Sequence, residues 1–266
     1  MFHATAVVAD YDATMHSLDH LFGCVALNDT VDETPGVQRR GGMAWIGDNS
    51  IEIAQPLVAD SPGGRFLART GGGMHSFGVQ VSDIAATKEH LVRVGVGIAS
   101  EPLDGIVFTN PSDTSGLLIE WCAVGSEEDP RFGATVPKSP VAPIVPARRV
   151  AFVGAVVEDP LAAAHQLARV LDGKLWIVPG DDARLPPVAV SLGDCMLALF
   201  PLVEPARPRV HAMGLLVDDV DSALDLLQKN GIGISWHVDS FAAIDEQATP
   251  LPLFITDTLL PGDPRH

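Results

Sequence analysis

The sequence predicts an α+β chain of two tandem modules, each built from two βαβββ units whose strands form one curved mixed sheet. Three observations predict it. One pattern is written four times along the 266 residues. A strand ends in Val-x-Asp (Val8-Ala9-Asp10, Val81-Ser82-Asp83, Val157-Glu158-Asp159, Val217-Asp218-Asp219), a Leu follows eight residues after the Asp (Leu18, Leu91, Leu167, Leu227), and a glycine ends the run (Gly23, Gly95, Gly173, Gly231). Short apolar runs with strand character follow each copy, and proline crowds the stretch between the second and third copies. Internal repetition of this kind means that each unit buries its apolar face only against a neighbour.

Each element follows from its residues. The repeated Asp is a helix N-cap, and the repeated Gly is the residue expected to take the left-handed turn that stops the helix. In the first module Phe2–Val8 reads as a strand and Asp12–Phe22 as a helix. Met43–Ile46 and Ser50–Leu57 follow as strands around a tight turn at Gly47-Asp48-Asn49. His75–Val81, the helix Ile84–Val94, and the strands Gly105–Phe108 and Leu117–Cys122 repeat the order. Gly71-Gly72-Gly73 lacks the Lys-Ser/Thr of a phosphate loop and precedes a strand, so it reads as an entry loop. In the second module Arg149–Val157, Leu161–Leu171, Val188–Leu192, Met196–Leu202 and Val210–Val217 take the corresponding places. Pro137, Pro140, Pro143 and Pro146 defeat both helix and central strand, which marks a linker. The boundaries read as a first module over 1–125, a Pro-rich linker over 126–147 and a second module over 148–266.

Composition narrows the partners. With 17 Lys+Arg against 34 Asp+Glu, the formal net charge is −17 at pH 7. That balance repels nucleic acid and anionic membranes. A small anionic ligand remains compatible with a local cluster, Arg39-Arg40 or Arg65 with Arg69. Cys24, Cys122 and Cys195 are few and widely spaced, as expected of reduced thiols. No basic leader and no run of roughly 20 apolar residues is evident. The expectation is a soluble cytoplasmic protein, a monomer with internal pseudo-symmetry or a homodimer, acting on a small molecule.

Strand alternation identifies candidate site residues, because successive side chains point to opposite faces. In Ser50-Ile51-Glu52-Ile53-Ala54 the isoleucines face the helices and Glu52 the concave side. Glu120 is opposed in the same way to Ile119 and Trp121, and His3 shares a face with Thr5. An acid in an apolar strand costs several kcal/mol if it is buried without a partner. Each residue alone has a bland reading as a solvated strand face or a satisfied core polar group. Two acids and a His on one curved sheet point to a metal or proton-transfer site. Cys122 shares the face of Glu120 without any sign of activation. His16 and His20, four apart on one helix, have no third ligand nearby and read as a solvated helix face.

The residues also carry a family resemblance. Gly47-Asp48-Asn49-Ser50-Ile51-Glu52-Ile53, Pro56-Leu57, Asp60-Ser61-Pro62, Phe66-Leu67, Gly72-Gly73-Met74-His75, Asn110-Pro111-Ser112 and Gly116-Leu117-Leu118-Ile119-Glu120 resemble the vicinal oxygen chelate superfamily. This superfamily includes glyoxalase I, bleomycin-resistance proteins, extradiol dioxygenases and methylmalonyl-CoA epimerase, and the first module is most similar to the epimerase branch. The resemblance implies a divalent metal (Co, Mn, Ni, Zn or Fe) bound by one residue from each of four equivalent strands. His3, Glu52 and Glu120 stand at three of these positions. At the fourth, where a His-His pair is usual, this chain reads Met74-His75-Ser76 and places Ser76. His75 would ligate only through a local bulge or register shift, and it recurs in the second module as His211. The corresponding positions there read as Phe152, Leu197, Ala212 and the vicinity of Ile255-Thr256, so the second module is expected to hold no metal.

The activity implied is that of a metal-dependent isomerase, epimerase or lyase acting on an enolisable carbonyl or thioester, with Glu52 or Glu120 moving the proton. Gly36-Val37-Gln38-Arg39-Arg40 lacks the carboxylate that some epimerases carry there. Two alternatives are a ring-cleaving extradiol-type dioxygenase, which needs two His and one carboxylate around Fe(II), and a non-catalytic small-molecule-binding or resistance protein.

Overall fold

A computed structural model describes residues 3–123, 130–180, 182–203 and 207–265. Phe2, where the first strand was expected to begin, and positions 124–129 at the predicted linker start lie outside the described residues. The first half contains β1 (His3–Val7), α1 (Tyr11–Phe22), β2 (Val25–Ala26), β3 (Thr30–Asp32), β4 (Arg39–Ile46), β5 (Asn49–Pro56), α2 (Pro62–Thr70), β6 (Gly73–Gln80), α3 (Ile84–Val94), β7 (Ile98–Leu103), β8 (Ile106–Thr109) and β9 (Ile119–Cys122). The second half contains β10 (Arg149–Val157), α4 (Pro160–Val170), β11 (Leu175–Ile177), β12 (Val188–Leu192), β13 (Cys195–Pro201), β14 (Arg209–Leu216), α5 (Val220–Lys229), β15 (Ile234–Val238), β16 (Phe241–Ile244) and β17 (Leu253–Thr256).

Each half forms one mixed sheet with the same topology. The first runs β2-β4-β5-β1-β6-β9-β8-β7, with β3 on β4, and the second runs β11-β12-β13-β10-β14-β17-β16-β15. β1 pairs parallel with β5 and antiparallel with β6. β10 does the same with β13 and β14. The four βαβββ units are therefore present, two to a sheet.

The repeated capping residues work as their types dictate. Asp10, Asp83, Asp159 and Asp219 each accept a backbone N–H of the first helical turn. A cap of this kind stabilises a helix by about 1 kcal/mol. Gly23, Gly95 and Gly231 lie in the left-handed region, with φ of 77°, 81° and 76°. The third copy departs from the expectation. There Asp172 takes the positive φ of 50°, and Gly173 does not. Gly173 is required for a different reason, since a Cβ on it would lie 2.4 Å from the Ser191 carbonyl oxygen.

Helix α2 was not expected. Gly63 and Gly64 disguise it, but Ser61 caps it, Pro62 opens it and Gly71 closes it at φ 79°. A Cβ on Gly64 would meet the Val58 and Ala59 carbonyl oxygens at 2.3 and 2.5 Å, so glycine there lets the helix sit down on the preceding loop.

The helix faces of both sheets share one apolar cluster, running from Leu18, Ile51, Ile53 and Phe77 to Val153, Leu167, Leu199 and Leu215. The inter-half contacts repeat pseudo-symmetrically. Ser17 on α1 donates to the Ala248 carbonyl at 3.0 Å, and Gln166 on α4 donates to the Asp113 carbonyl at 3.0 Å. The proline-rich stretch lies against α1, with the amides of Ile144, Val145 and Ala147 donating to the carbonyls of His20, Leu21 and Phe22. Among the described residues, no helix is long and apolar enough to cross a membrane.

Candidate metal centre

Central β1 carries His3 and Thr5 on the concave face, and the register then places every other group. Thr5 lies opposite Glu52 on one side and Ser76 on the other. His3 lies opposite Gly78, which in turn pairs with Glu120 on β9. The glycine is part of the site, because a Cβ on Gly78 would stand 2.8 Å from His3 Cε1.

His3 Nε2 lies 3.4 Å from Glu120 Oε2 and 3.7 Å from Glu52 Oε2. One ligand atom from each residue lies within 4.8 Å of the others, and among the described residues this is the one such group of three. Two donors bound about 2.1 Å from a single ion at ordinary angles stand roughly 3.0–3.5 Å apart, so the donor set fits a divalent ion with little movement. His3 and Glu120 are buried and Glu52 is half-buried. Burial works against a charged His3, but Glu120, and after it Glu52, outweighs that effect and raises the imidazole above its ordinary pKa. Thr5 Oγ1 donates to Glu52 Oε2 at 3.1 Å, and Arg39 Nη2 stands 2.6 Å from Glu52 Oε1. Below the cup, Arg131 lies over the Trp45 ring and reaches Asn49 Oδ1 at 3.3 Å and Ser50 Oγ at 3.4 Å.

Glu52, Glu120, Ser76 and His75 open onto one cavity of about 290 Å³, whose outer wall is apolar through Leu103, Ile106, Phe108 and Leu118. Simple alternation placed His75 on the helix side, and the structure corrects that. Thr5 pairs with Ser76 and Ala6 with Met74, so His75 is the extra residue of a bulge and lines the cavity beside Ser76. Its Nδ1 is 3.2 Å from Ser76 Oγ, and its ring packs edge-on against Phe66 at 4.8 Å. His75 is nevertheless not part of the three-residue cluster. Sequence reading also missed the service of Thr5 and Arg39 to Glu52. Position on the concave strand face was the signal available for Thr5.

Other sequence candidates lie elsewhere. His16 and His20 are exposed and stack on each other at 6.2 Å. Cys122 is buried outside the cavity lining. Arg40 pairs with Asp12 and Asp29, and Arg65 with Asp60, away from the cavity.

The second cup is closed by its own side chains. Its register equates His3 with Phe152, opposite Gly214, and Ser76 with Ala212, opposite Gly154. The equivalent of Glu52 is Ala198 rather than Leu197, because Gly154 pairs with Ala198. The equivalent of Glu120 is Phe254 rather than Ile255-Thr256, because Gly214 pairs with Phe254. The one-residue error matters because each slip of one turns a side chain to the other face. Leu197 and Ile255 belong to the helix-side core. Phe152 contacts Phe200, Phe241 and Phe254 with ring centroids 6.0–6.4 Å apart, and Leu260 completes the plug. None of these four positions offers a metal ligand.

The bulge recurs at His211, where Gly154 pairs with Ala212 and Ala155 with Val210. Burial depresses both His75 and His211 to about 4 from an ordinary 6.5. A depressed histidine stays neutral when folded but takes up a proton when unfolded, so stability is full above about pH 6.5 and falls as pH drops toward 4. We expect denaturant unfolding between these limits to show a shallower acid loss in the His75→Gln, His211→Gln double variant. An unchanged slope would refute the assignment.

Residues 2–106 match the family model described as the Glyoxalase/Bleomycin resistance protein/Dioxygenase superfamily. Mitochondrial methylmalonyl-CoA epimerase of Bos taurus is 32% identical over 85 residues, which cover 28% of this chain and 47% of that protein. The chain thus spans about half the length of the curated relative it matches. Across 96% of this chain and 91% of the other, the fold is similar to that of a mutant 4-hydroxymandelate synthase from Streptomyces coelicolor, at TM-score 0.71 and 14% identity. A methylmalonyl-CoA epimerase from Mycobacterium tuberculosis is 23% identical over 47% of this chain and 87% of that one, at TM-score 0.43.

Proposed function

We propose, from the match of residues 2–106 to the Glyoxalase/Bleomycin resistance protein/Dioxygenase superfamily model, that the chain is a metal-dependent isomerase, epimerase or lyase acting on an enolisable carbonyl or thioester compound. The observation that carries this reading is the meeting of His3, Glu52 and Glu120, with both acids lining one cavity that has an apolar stretch of wall. His3, Glu52 and Glu120 would hold the ion. A divalent ion there supplies Lewis acidity toward a carbonyl oxygen and lowers the cost of negative charge developing on it.

The protein's own groups do the rest. Glu120 and Glu52 are the cavity bases that adjoin His3, and one of them takes the proton from the carbon beside the carbonyl and returns it. Before substrate enters, Thr5 and Arg39 hold Glu52 through both of its oxygens. The division into a metal-site module over 1–125, a Pro-rich linker over 126–147 and a degenerate module over 148–266 is part of the same proposal.

The test is proton exchange. The chain loaded with Mn²⁺ or Co²⁺ is incubated in deuterium oxide with a panel of 2-substituted acyl thioesters and 2-oxoaldehyde adducts. Deuterium should enter at the carbon beside the carbonyl, and Glu120→Gln should slow entry by about 10²–10⁴-fold. Oxygen consumption with catechols under Fe(II), and no exchange, would instead establish a dioxygenase. Tight binding without turnover of any kind would establish a sequestering protein.

A further inference from the structure

Arg39 is the one side chain of permanent positive charge among the described residues lining the cavity. His75, with its pKa near 4, adds no charge at neutral pH. The guanidinium meets Glu52 through Nη2 alone, while Nη1 is buried without a hydrogen-bond partner. The arginines of the surface are used differently. Arg40 engages both Asp12 and Asp29, and Arg148 engages both oxygens of Asp218. Arg39 therefore keeps unspent donor capacity at the wall of a small cavity that it shares with the carboxylates of Asp32, Glu52 and Glu120 and with an apolar stretch, in a chain of net charge −17.

Glu52 faces two ways. Its Oε2 lies toward His3 and its Oε1 toward Arg39. An ion held by Oε2 would bring two positive charges to one carboxylate in a partly buried place, where repulsion is weakly screened. A ligand carboxylate set between them removes that conflict, and a guanidinium accepts a carboxylate on two nitrogens at once.

We propose that Arg39 is the specificity-determining residue of the cavity: it turns from Glu52 to grip a carboxylate on the substrate, so the ion and the carboxylate bind cooperatively. The substrate class is then a carbonyl compound bearing a carboxylate, with an apolar remainder against Leu103, Phe108 and Leu118. This rests on the metal-centre reading above.

The experiment titrates Mn²⁺ into the metal-free full chain with phenylacetate, with uncharged phenylacetamide, or with neither. Phenylacetate should raise Mn²⁺ affinity on the order of tenfold, within the roughly 5- to 150-fold usual for coupled sites, and Mn²⁺ should raise phenylacetate affinity by the same factor. Phenylacetamide should change nothing. Arg39→Met should bind Mn²⁺ more tightly than wild type when no carboxylate is present, and should lose the coupling. Arg39→Lys, which keeps the charge but not the paired nitrogens, should retain a reduced coupling and serves if the Met variant does not fold. Mn²⁺ binding that ignores phenylacetate, or full coupling in both variants, overturns the role of Arg39 and leaves the metal centre standing. No Mn²⁺ binding under any condition overturns the metal centre and the coupling with it.

Discussion

Alanine at Glu120 lowers the affinity for a divalent ion by more than about 100-fold, since loss of an outer partner alone costs roughly 10- to 100-fold and Glu120 is a direct candidate ligand. The expectation follows from position. Glu120 reaches within 3.4 Å of His3 on a buried strand face, where few waters can replace it. His3→Ala should do as much. Glu52→Ala should do so as well, and it also leaves Arg39 without its carboxylate. Ser76→His works in the other direction, because Ser76 lies opposite Thr5 on the concave face and a longer ligand there adds a donor. Metal content after dialysis against Mn²⁺ or Zn²⁺, with thermal unfolding as a check on folding, measures all four variants. Full metal content in Glu52→Ala and Glu120→Ala together would remove the site.

Phe152→Ala destabilises the chain by about 3–5 kcal/mol, the usual cost of deleting a buried phenylalanine ring. Phe152 is fully buried, and its ring covers Gly214 so closely that a Cβ there would stand 2.2 Å from it. Three other phenylalanines touch it, so the void left behind cannot be filled by one neighbour's movement. Urea unfolding measures the loss. Metal stoichiometry at saturating ion should stay at the wild-type value, because the plug lies in the other cup. A cost below about 1 kcal/mol would mean that the second cup is loosely packed and open to ligands.

The repeat and its capping residues were legible because they depend on local chemistry. An Asp that accepts helix N–H groups and a Leu at fixed spacing announce themselves without tertiary information. His3, Glu52 and Glu120 were legible as one concave face because a strand alternates strictly. His75 was not, since one inserted residue breaks alternation and only the pairing of Thr5 and Ala6 with Ser76 and Met74 locates it. The equivalents in the second half slipped by one for a related reason: Ala198 and Phe254 are identified by their partners across the sheet, not by any feature of their own. Arg39 was noted only as part of a basic pair. Its neighbour Arg40 points to surface acids, and nothing local separates the two roles. Helix α2 hid behind its glycines, although Ser61-Pro62 ahead of it and Gly71 after it were readable as its ends.

Each cup rests an aromatic or imidazole ring on a bare glycine of the next strand: His3 on Gly78 in one half, Phe152 on Gly214 in the other. The two pairs are the same joint with different fittings. A duplicated joint of this kind lets one copy carry polar groups while its twin carries hydrocarbon, and the apolar cluster running through both halves makes the cohesion common property. At the four positions that match His3, Glu52, Ser76 and Glu120, the second half carries Phe152, Ala198, Ala212 and Phe254, so hydrocarbon stands where the first cup is polar. Stability gained by the filled cup is shared through that common core, and it bounds how much strand polarity the first half can carry.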